Sequence, residues 1–199
     1  MAYLACVAKK GVDMVDVKPG ESVLVTGLGD VGLSAVQLAK LRGASNVIAA
    51  DIRDCRLSLP RKFADQVLDI SKADAKNALM ELNGGKQVDV VIECSGNPEA
   101  VSPIADYVRP GGRVHLQGQY RKPIIITDYA RWNCSDLRIS CSIALNHGSK
   151  EEVLALIAKG RFDAKSLYTF ERNVDNAPEA YKELAADRYG ILKILLRWE

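Results

Sequence analysis

Apolar residues in this chain collect into short runs with almost no polar interruption, and each run is closed by a turn. Val23-Leu24-Val25, Val47-Ile48-Ala49-Ala50, Val67-Leu68 and Val88 to Cys94 are the first four. Alternation with period two would mark strands with one wet face; continuous, β-branched runs mark strands covered on both faces. Between them the spacing becomes helical: Val31 to Leu41, Asp54 to Phe63 with Pro60 disturbing it, and Ser71 to Leu82 with Ser71 as its cap. Pro98 opens a further helix that ends near Arg109, and Pro110-Gly111-Gly112 turns into a strand from Arg113 to Gln117. Strands alternating with helices predict an α/β chain, a doubly wound parallel sheet with right-handed crossovers and helices on both faces.

Beyond Gly118 the rhythm loosens. Ile124 to Thr127 and Leu137 to Ile143 read as further strands, Lys150 to Lys159 as a helix closed by Gly160, Pro178 to Ala186 as a last helix, and Ile191 to Trp198 as a terminal strand. No repeat, low-complexity stretch or linker interrupts the chain.

The first strand, Val23 to Thr26, runs into Gly27-Leu28-Gly29-Asp30-Val31-Gly32 and then into a helix dense in Ala, Leu and Val. A diphosphate needs backbone close enough to touch it and unpaired helix N–H groups aimed at it. Gly27 permits the tight turn, Gly29 removes a Cβ from the approach path, and Gly32 lets the helix lie close to the strand. Asp51 closes the second strand nineteen residues after Gly32, where a dinucleotide fingerprint places the acid that accepts from the adenosine ribose hydroxyls. A carboxylate there repels a 2′-phosphate, which favours NAD over NADP. A methyltransferase loop, the other glycine-rich competitor, usually carries an acid just before its first glycine; Thr26 stands there instead. The prediction is a Rossmann-type sheet.

Net charge is +2 over 199 residues, too little to suggest nucleic acid or an anionic membrane surface as partner. No apolar run approaches the ~20 residues of a membrane span, and no basic-then-apolar leader opens the chain. Cys6, Cys55, Cys94, Cys134 and Cys141 are odd in number and lack a C-x-x-C pair. They read as reduced thiols of a cytoplasmic protein, with no zinc site of their own. His115, in a buried-looking strand, reads as a satisfied core or edge histidine, and His147, in a loop before Gly148, as the better functional candidate.

Lys18-Pro19-Gly20-Glu21-Ser22-Val23-Leu24-Val25, the glycine loop, Asp51-Ile52-Arg53-Asp54-Cys55-Arg56, Glu93-Cys94-Ser95-Gly96 and Arg109-Pro110-Gly111-Gly112-Arg113 occur in one order along the chain. With the tail, Glu179-Ala180-Tyr181 and Lys193-Ile194-Leu195, they resemble the medium-chain dehydrogenase/reductase family of alcohol and polyol dehydrogenases. The resemblance covers nearly the whole chain. It implies an NAD-binding domain over residues 1–148 and a segment, 149–199, that in relatives returns to the catalytic domain. It implies that Gly27, Leu28, Gly29, Asp30 and Gly32 surround the diphosphate and that Val31 lies under the nicotinamide. Asp51 would hold the adenosine ribose, with Ile52 beside it and Arg56 reaching it from the following turn. Cys94, Ser95 and Gly96 would line the adenine ribose and the entrance. Gln117, Gly118 and Gln119, with Cys141 and Ile143, would meet the nicotinamide side through their main chain, and Lys193 would lie against the diphosphate. Arg56 and Lys193 read equally well as solvated surface charges, and Cys94 and Cys141 as packing residues.

Relatives begin with a catalytic domain that carries zinc ligands and a proton relay. Ala2 stands where the last of those ligands, a Glu or Cys, is expected. The resemblance therefore implies the cofactor half of an oxidoreductase acting on a small alcohol or carbonyl substrate. Zinc would belong to the missing N-terminal domain alone, and the isolated chain would turn over weakly or not at all. A Met1 start inside what relatives make a helix suggests a truncated product. The second reading is a non-catalytic NAD(H) sensor or interaction module, since fold does not fix function. In relatives the strand at 138–143 pairs with its copy across a twofold axis, so a homodimer is expected there.

Overall fold

The structure is a computed structural model that describes residues 2–143, 146, 148–186 and 190–198; His147 lies outside the described residues. Six strands, β1 (Ser22–Thr26), β2 (Asn46–Asp51), β3 (Gln66–Asp69), β4 (Val88–Glu93), β5 (Val108–Leu116) and β6 (Arg138–Cys141), form one sheet. All pairings are parallel, in the order β3-β2-β1-β4-β5-β6. The order reverses between β1 and β4, which makes this a Rossmann-type α/β fold and opens a crevice at the carboxyl ends of those two strands.

Side-chain alternation explains why the strands read as unbroken apolar runs. Val23, Val25, Val47, Ala49, Val90 and Ile92 point to one face and pack under helices α1 (Ala2–Met14) and α2 (Asp30–Leu41). Leu24, Ile48, Ala50 and Val91 point to the other, against Leu79 of helix α4 (Ala75–Leu82), Ile104 of helix α5 (Ile104–Tyr107) and Trp132 of helix α6 (Tyr129–Asn133). Between β2 and β3 lies helix α3 (Asp54–Leu57), followed by a 3₁₀ turn (Leu59–Lys62) whose opening accommodates Pro60. Val153 of helix α7 (Ser149–Ala158), with Phe162 and Leu167, joins the α1/α2 cluster, so the chain beyond residue 149 shares that core.

Several expectations give way to tertiary context. The helix expected from Pro98 to Arg109 is broken into a 3₁₀ turn (Pro98–Ala100) and α5, because Pro103 cannot continue a helix, and β5 already begins at Val108. Ser71 caps nothing. Its N–H and hydroxyl both donate to Asp69 Oδ1, and α4 starts only at Ala75. Ile124 to Thr127 is irregular chain: β6, in register Arg113 with Arg138, takes the edge of β5 instead. The terminal strand, β8 (Ile194–Arg197), pairs in parallel with an unexpected β7 (Phe170–Asn173) in a separate two-stranded sheet, beside helix α8 (Ala177–Ala186). Trp198, after β8, stands 81% exposed.

His115, on β5, is fully buried, with Nδ1 2.8 Å from Ser140 Oγ and Nε2 3.2 Å from Ser142 Oγ. Burial disfavours its cation and lowers its pKa below the ordinary 6.5; the Gln117 side chain opposes this more weakly. The unfolded chain therefore binds a proton that the folded chain refuses. Stability is full above about pH 7 and falls as pH drops through 6.5 toward the folded value. Asp89, whose carboxyl burial pushes up but Arg109 and Ser22 together hold low, and Asp163, held low by Ser166, lose their contribution only below about pH 5. A urea midpoint that falls between pH 7.5 and 5.5 in the wild type, and stays level in His115→Asn, is expected; parallel slopes would refute it.

Candidate cofactor site

The crevice is built by glycines doing three different things. Gly27 has φ +82°, and a Cβ there would lie 2.5 Å from Ser95 Cα; its N–H donates to the Ala50 carbonyl at 2.8 Å. A Cβ on Gly32 would overlap the Gly27 carbonyl oxygen, so glycine alone lets α2 sit against the turn. A Cβ on Gly29 would meet nothing within 4 Å, which leaves bare backbone facing open space. The amides of the first turn of α2 have no helical carbonyl ahead of them, and the helix dipole adds partial positive charge at that end. Leu28 is fully buried and offers the site only its main chain.

Asp51 is locked into this turn. Its Oδ2 accepts from the Leu28 N–H at 2.7 Å, and Oδ1 from the N–H groups of Ile52 at 2.8 Å and Arg53 at 3.0 Å. Three bonds leave one of roughly four acceptor sites of a carboxylate uncommitted. Ile52 beside it is 62% exposed. Arg56 is buried and donates to the Ile191 carbonyl at 3.0 Å, so it is not a solvated surface charge. Lys193 reaches α2 from the chain just ahead of β8, with Nζ 2.7 Å from Asp30 Oδ2.

On the other side of the crevice, Glu93 at the end of β4 gathers two loops. Its Oε1 accepts from the Ser95 N–H at 2.8 Å and from the Ser95 hydroxyl, and its Oε2 from the Tyr120 hydroxyl. Its main-chain carbonyl takes the N–H of Gln117 at 2.8 Å and of Gly118 at 2.9 Å. A Cβ on Gly118 would lie 2.5 Å from the Gly96 nitrogen, so the 94–97 and 117–120 loops pack backbone to backbone. The Gln119 carbonyl stands 3.0 Å from the Cβ direction of Gly96. Glu93 is fully buried. Burial and the Glu93 carboxylate push the Tyr120 phenol up, and burial first, then Glu93, push the Cys94 thiol up, so neither ionises at neutral pH.

All the residues expected at the site except Lys193 fall at the carboxyl end of the strands or in the loops and turns that leave it. Val31 lies in the first turn of α2. Cys141 and Ile143 end or follow the edge strand β6, where the Ile143 carbonyl accepts from Lys10 Nζ at 2.8 Å. Sequence reasoning missed Glu93 and Tyr120 as a pair. An acid closing an apolar run was visible at Glu93, whereas nothing in the sequence marks Tyr120 as its partner. Among the described residues, no three His, Cys, Asp or Glu side chains converge into a metal-ligating group.

A doubly wound parallel sheet with a glycine turn at its switch point defines a Rossmann-type domain. Residues 31–159 match the model of the zinc-binding dehydrogenases. The chain is 34% identical over 193 residues to an alcohol dehydrogenase of Cupriavidus necator, covering 94% of this chain and 52% of that protein. It is 39% identical over 185 residues to L-threonine 3-dehydrogenase of Chromobacterium violaceum, covering 90% and 52%. Among solved structures, a short chain alcohol dehydrogenase from E. coli CFT073 complexed with cofactor NADH superposes with a TM-score of 0.88 at 24% identity, over all of this chain and 58% of that one. This chain belongs to the zinc-binding dehydrogenase family, and it spans about half the length of the curated relatives it matches.

The glycine geometry separates two substitutions of equal chemistry. Gly32→Ala is expected to destabilise the fold by about 2 kcal/mol or more, because backbone must move. Gly29→Ala should stay within about 1 kcal/mol of wild type. Equal urea midpoints for the two variants would contradict this account of the turn.

Proposed function

We propose that this chain is the NAD(H)-binding part of an alcohol- or polyol-type dehydrogenase. What carries the reading is the bare backbone of Gly29 facing open space between an immobilised Asp51 and the free amides of α2. Main chain at residues 27–32 would bind the diphosphate, with Lys193 as its cation. The uncommitted acceptor position of Asp51 would take a ribose hydroxyl, with Ile52 and Arg56 beside it. Cys94, Ser95 and Gly96 would line the adenosine side. Main chain at Gln117, Gly118 and Gln119, and at Cys141 and Ile143, would orient the nicotinamide, with Val31 beneath it. The bound cofactor supplies hydride exchange with an alcohol or carbonyl carbon. The residues here bind and orient it; their partly buried Tyr120 and Cys94 stay protonated and move no proton.

Relatives act on different alcohols, so substrate choice is assigned to the part of such enzymes that this chain does not span, and turnover with it. Zinc, where used, belongs to that part too. Among the described residues no helix is long and apolar enough to cross a membrane, and the five free cysteines fit a reducing compartment, the cytoplasm. The outer edge of β6, with Ile139 51% exposed, is the surface through which two copies would pair; a monomer by light scattering at micromolar concentration would count against that.

Calorimetric titration tests the cofactor assignment. Saturable heat is expected with NADH, with a preference over NADPH of at least about tenfold, because Asp51 meets a 2′-phosphate as like charge. Asp51→Asn should narrow that preference. Absence of saturable heat at millimolar NADH would sink the proposal.

A further inference from the structure

Asp30 is at odds with the anion-seeking end of its helix. It is the first residue of α2, directly after Gly29, at the end where the helix dipole favours negative charge. The side chain is 13% exposed. Its Oδ1 is buried without a hydrogen-bond partner among the described residues, and Oδ2 holds Lys193 Nζ at 2.7 Å. A carboxylate at a helix N-terminus is favourable in itself. A carboxylate that also engages Lys193, a cation that reaches this turn from the tail, does the work of a bound anion.

The tail is held at this turn by more than that ion pair. Three residues before Lys193, Gly190 lies against Cys55, where a Cβ would come within 2.7 Å of the Cys55 Cβ. Two residues before it, the Ile191 carbonyl takes the Arg56 guanidinium. Lys193 is thus delivered to the cradle by fixed neighbours, and its partner there is Asp30.

We propose that Asp30 is an internal stand-in for the diphosphate, a residue that sets dinucleotide affinity by opposing it. An entering diphosphate competes with the Asp30 carboxylate for Lys193 and for the field of α2, and binding requires Lys193 to pass from one to the other. Asp30 thereby weakens every ligand that carries the diphosphate and leaves ligands without it untouched. This rests on the dinucleotide reading above.

The experiment is a titration of the full chain with NADH, ADP and adenosine, in wild type, Asp30→Asn, Lys193→Met and the double variant. Asp30→Asn is expected to tighten NADH and ADP alike by about fivefold at low ionic strength, less at high salt, and to leave adenosine unchanged. Lys193→Met should weaken NADH and ADP, and adding Asp30→Asn should restore part of that loss, because an unpaired carboxylate is then removed. If wild type binds NADH but Asp30→Asn leaves NADH and ADP unchanged or weaker, or tightens adenosine equally, the stand-in role is wrong while the cofactor assignment survives. If wild type binds neither NADH nor ADP, both fall together.

Discussion

How closely α2 approaches the sheet is decided where the Gly27 carbonyl lies against Gly32, and most of the site follows from that contact. With no Cβ at position 32, the helix axis comes in far enough for its first turn to stand over the end of β1. The Leu28 N–H is then within reach of Asp51, and the resulting 2.7 Å bond ties the tip of β2 to the turn between β1 and α2. Gly27 in turn touches the Ser95 backbone, which brings the end of β4 to the same place. Three strands and one helix end are therefore fixed against each other by close backbone approach and by the Asp51 carboxylate.

The far wall of the crevice is organised differently, by a buried carboxylate. Glu93 gathers a hydroxyl, a phenol and an amide on its side chain and two amides on its carbonyl. Hydrogen bonds to a charged acceptor are roughly twice as strong as neutral ones, and losing one inside the fold leaves desolvated charge behind. The loops after β4 and β5 are thus tied to one carboxylate.

What was legible in the sequence was what local chemistry dictates. Val23 to Val25, Val47 to Ala50 and Val88 to Ile92 read as strands because both of their faces are buried, and glycine spacing marked the turn because no other residue fits positions 27 and 32. What was illegible depends on partners distant along the chain. Ile124 to Thr127 is as β-branched as any strand here, yet the edge of β5 that it follows is taken by β6. Phe170–Asn173 became a strand with one apolar residue, since β8 supplied the missing edge and Arg172 covers the Phe170 ring at 3.7 Å. Glu93 with Tyr120, and Asp30 with Lys193, are pairings across 27 and 163 positions, which no local pattern records.

The placement of the two tryptophans has an optical consequence. Trp132 is buried on one face of the sheet with its indole N–H on the Ser102 carbonyl, whereas Trp198 stands in solvent just past the strand that Lys193 leads into. Their emission should divide into a blue component shielded from iodide and a red one open to it. Quenching of the red component alone then becomes a reporter of the tail, read without touching the sheet.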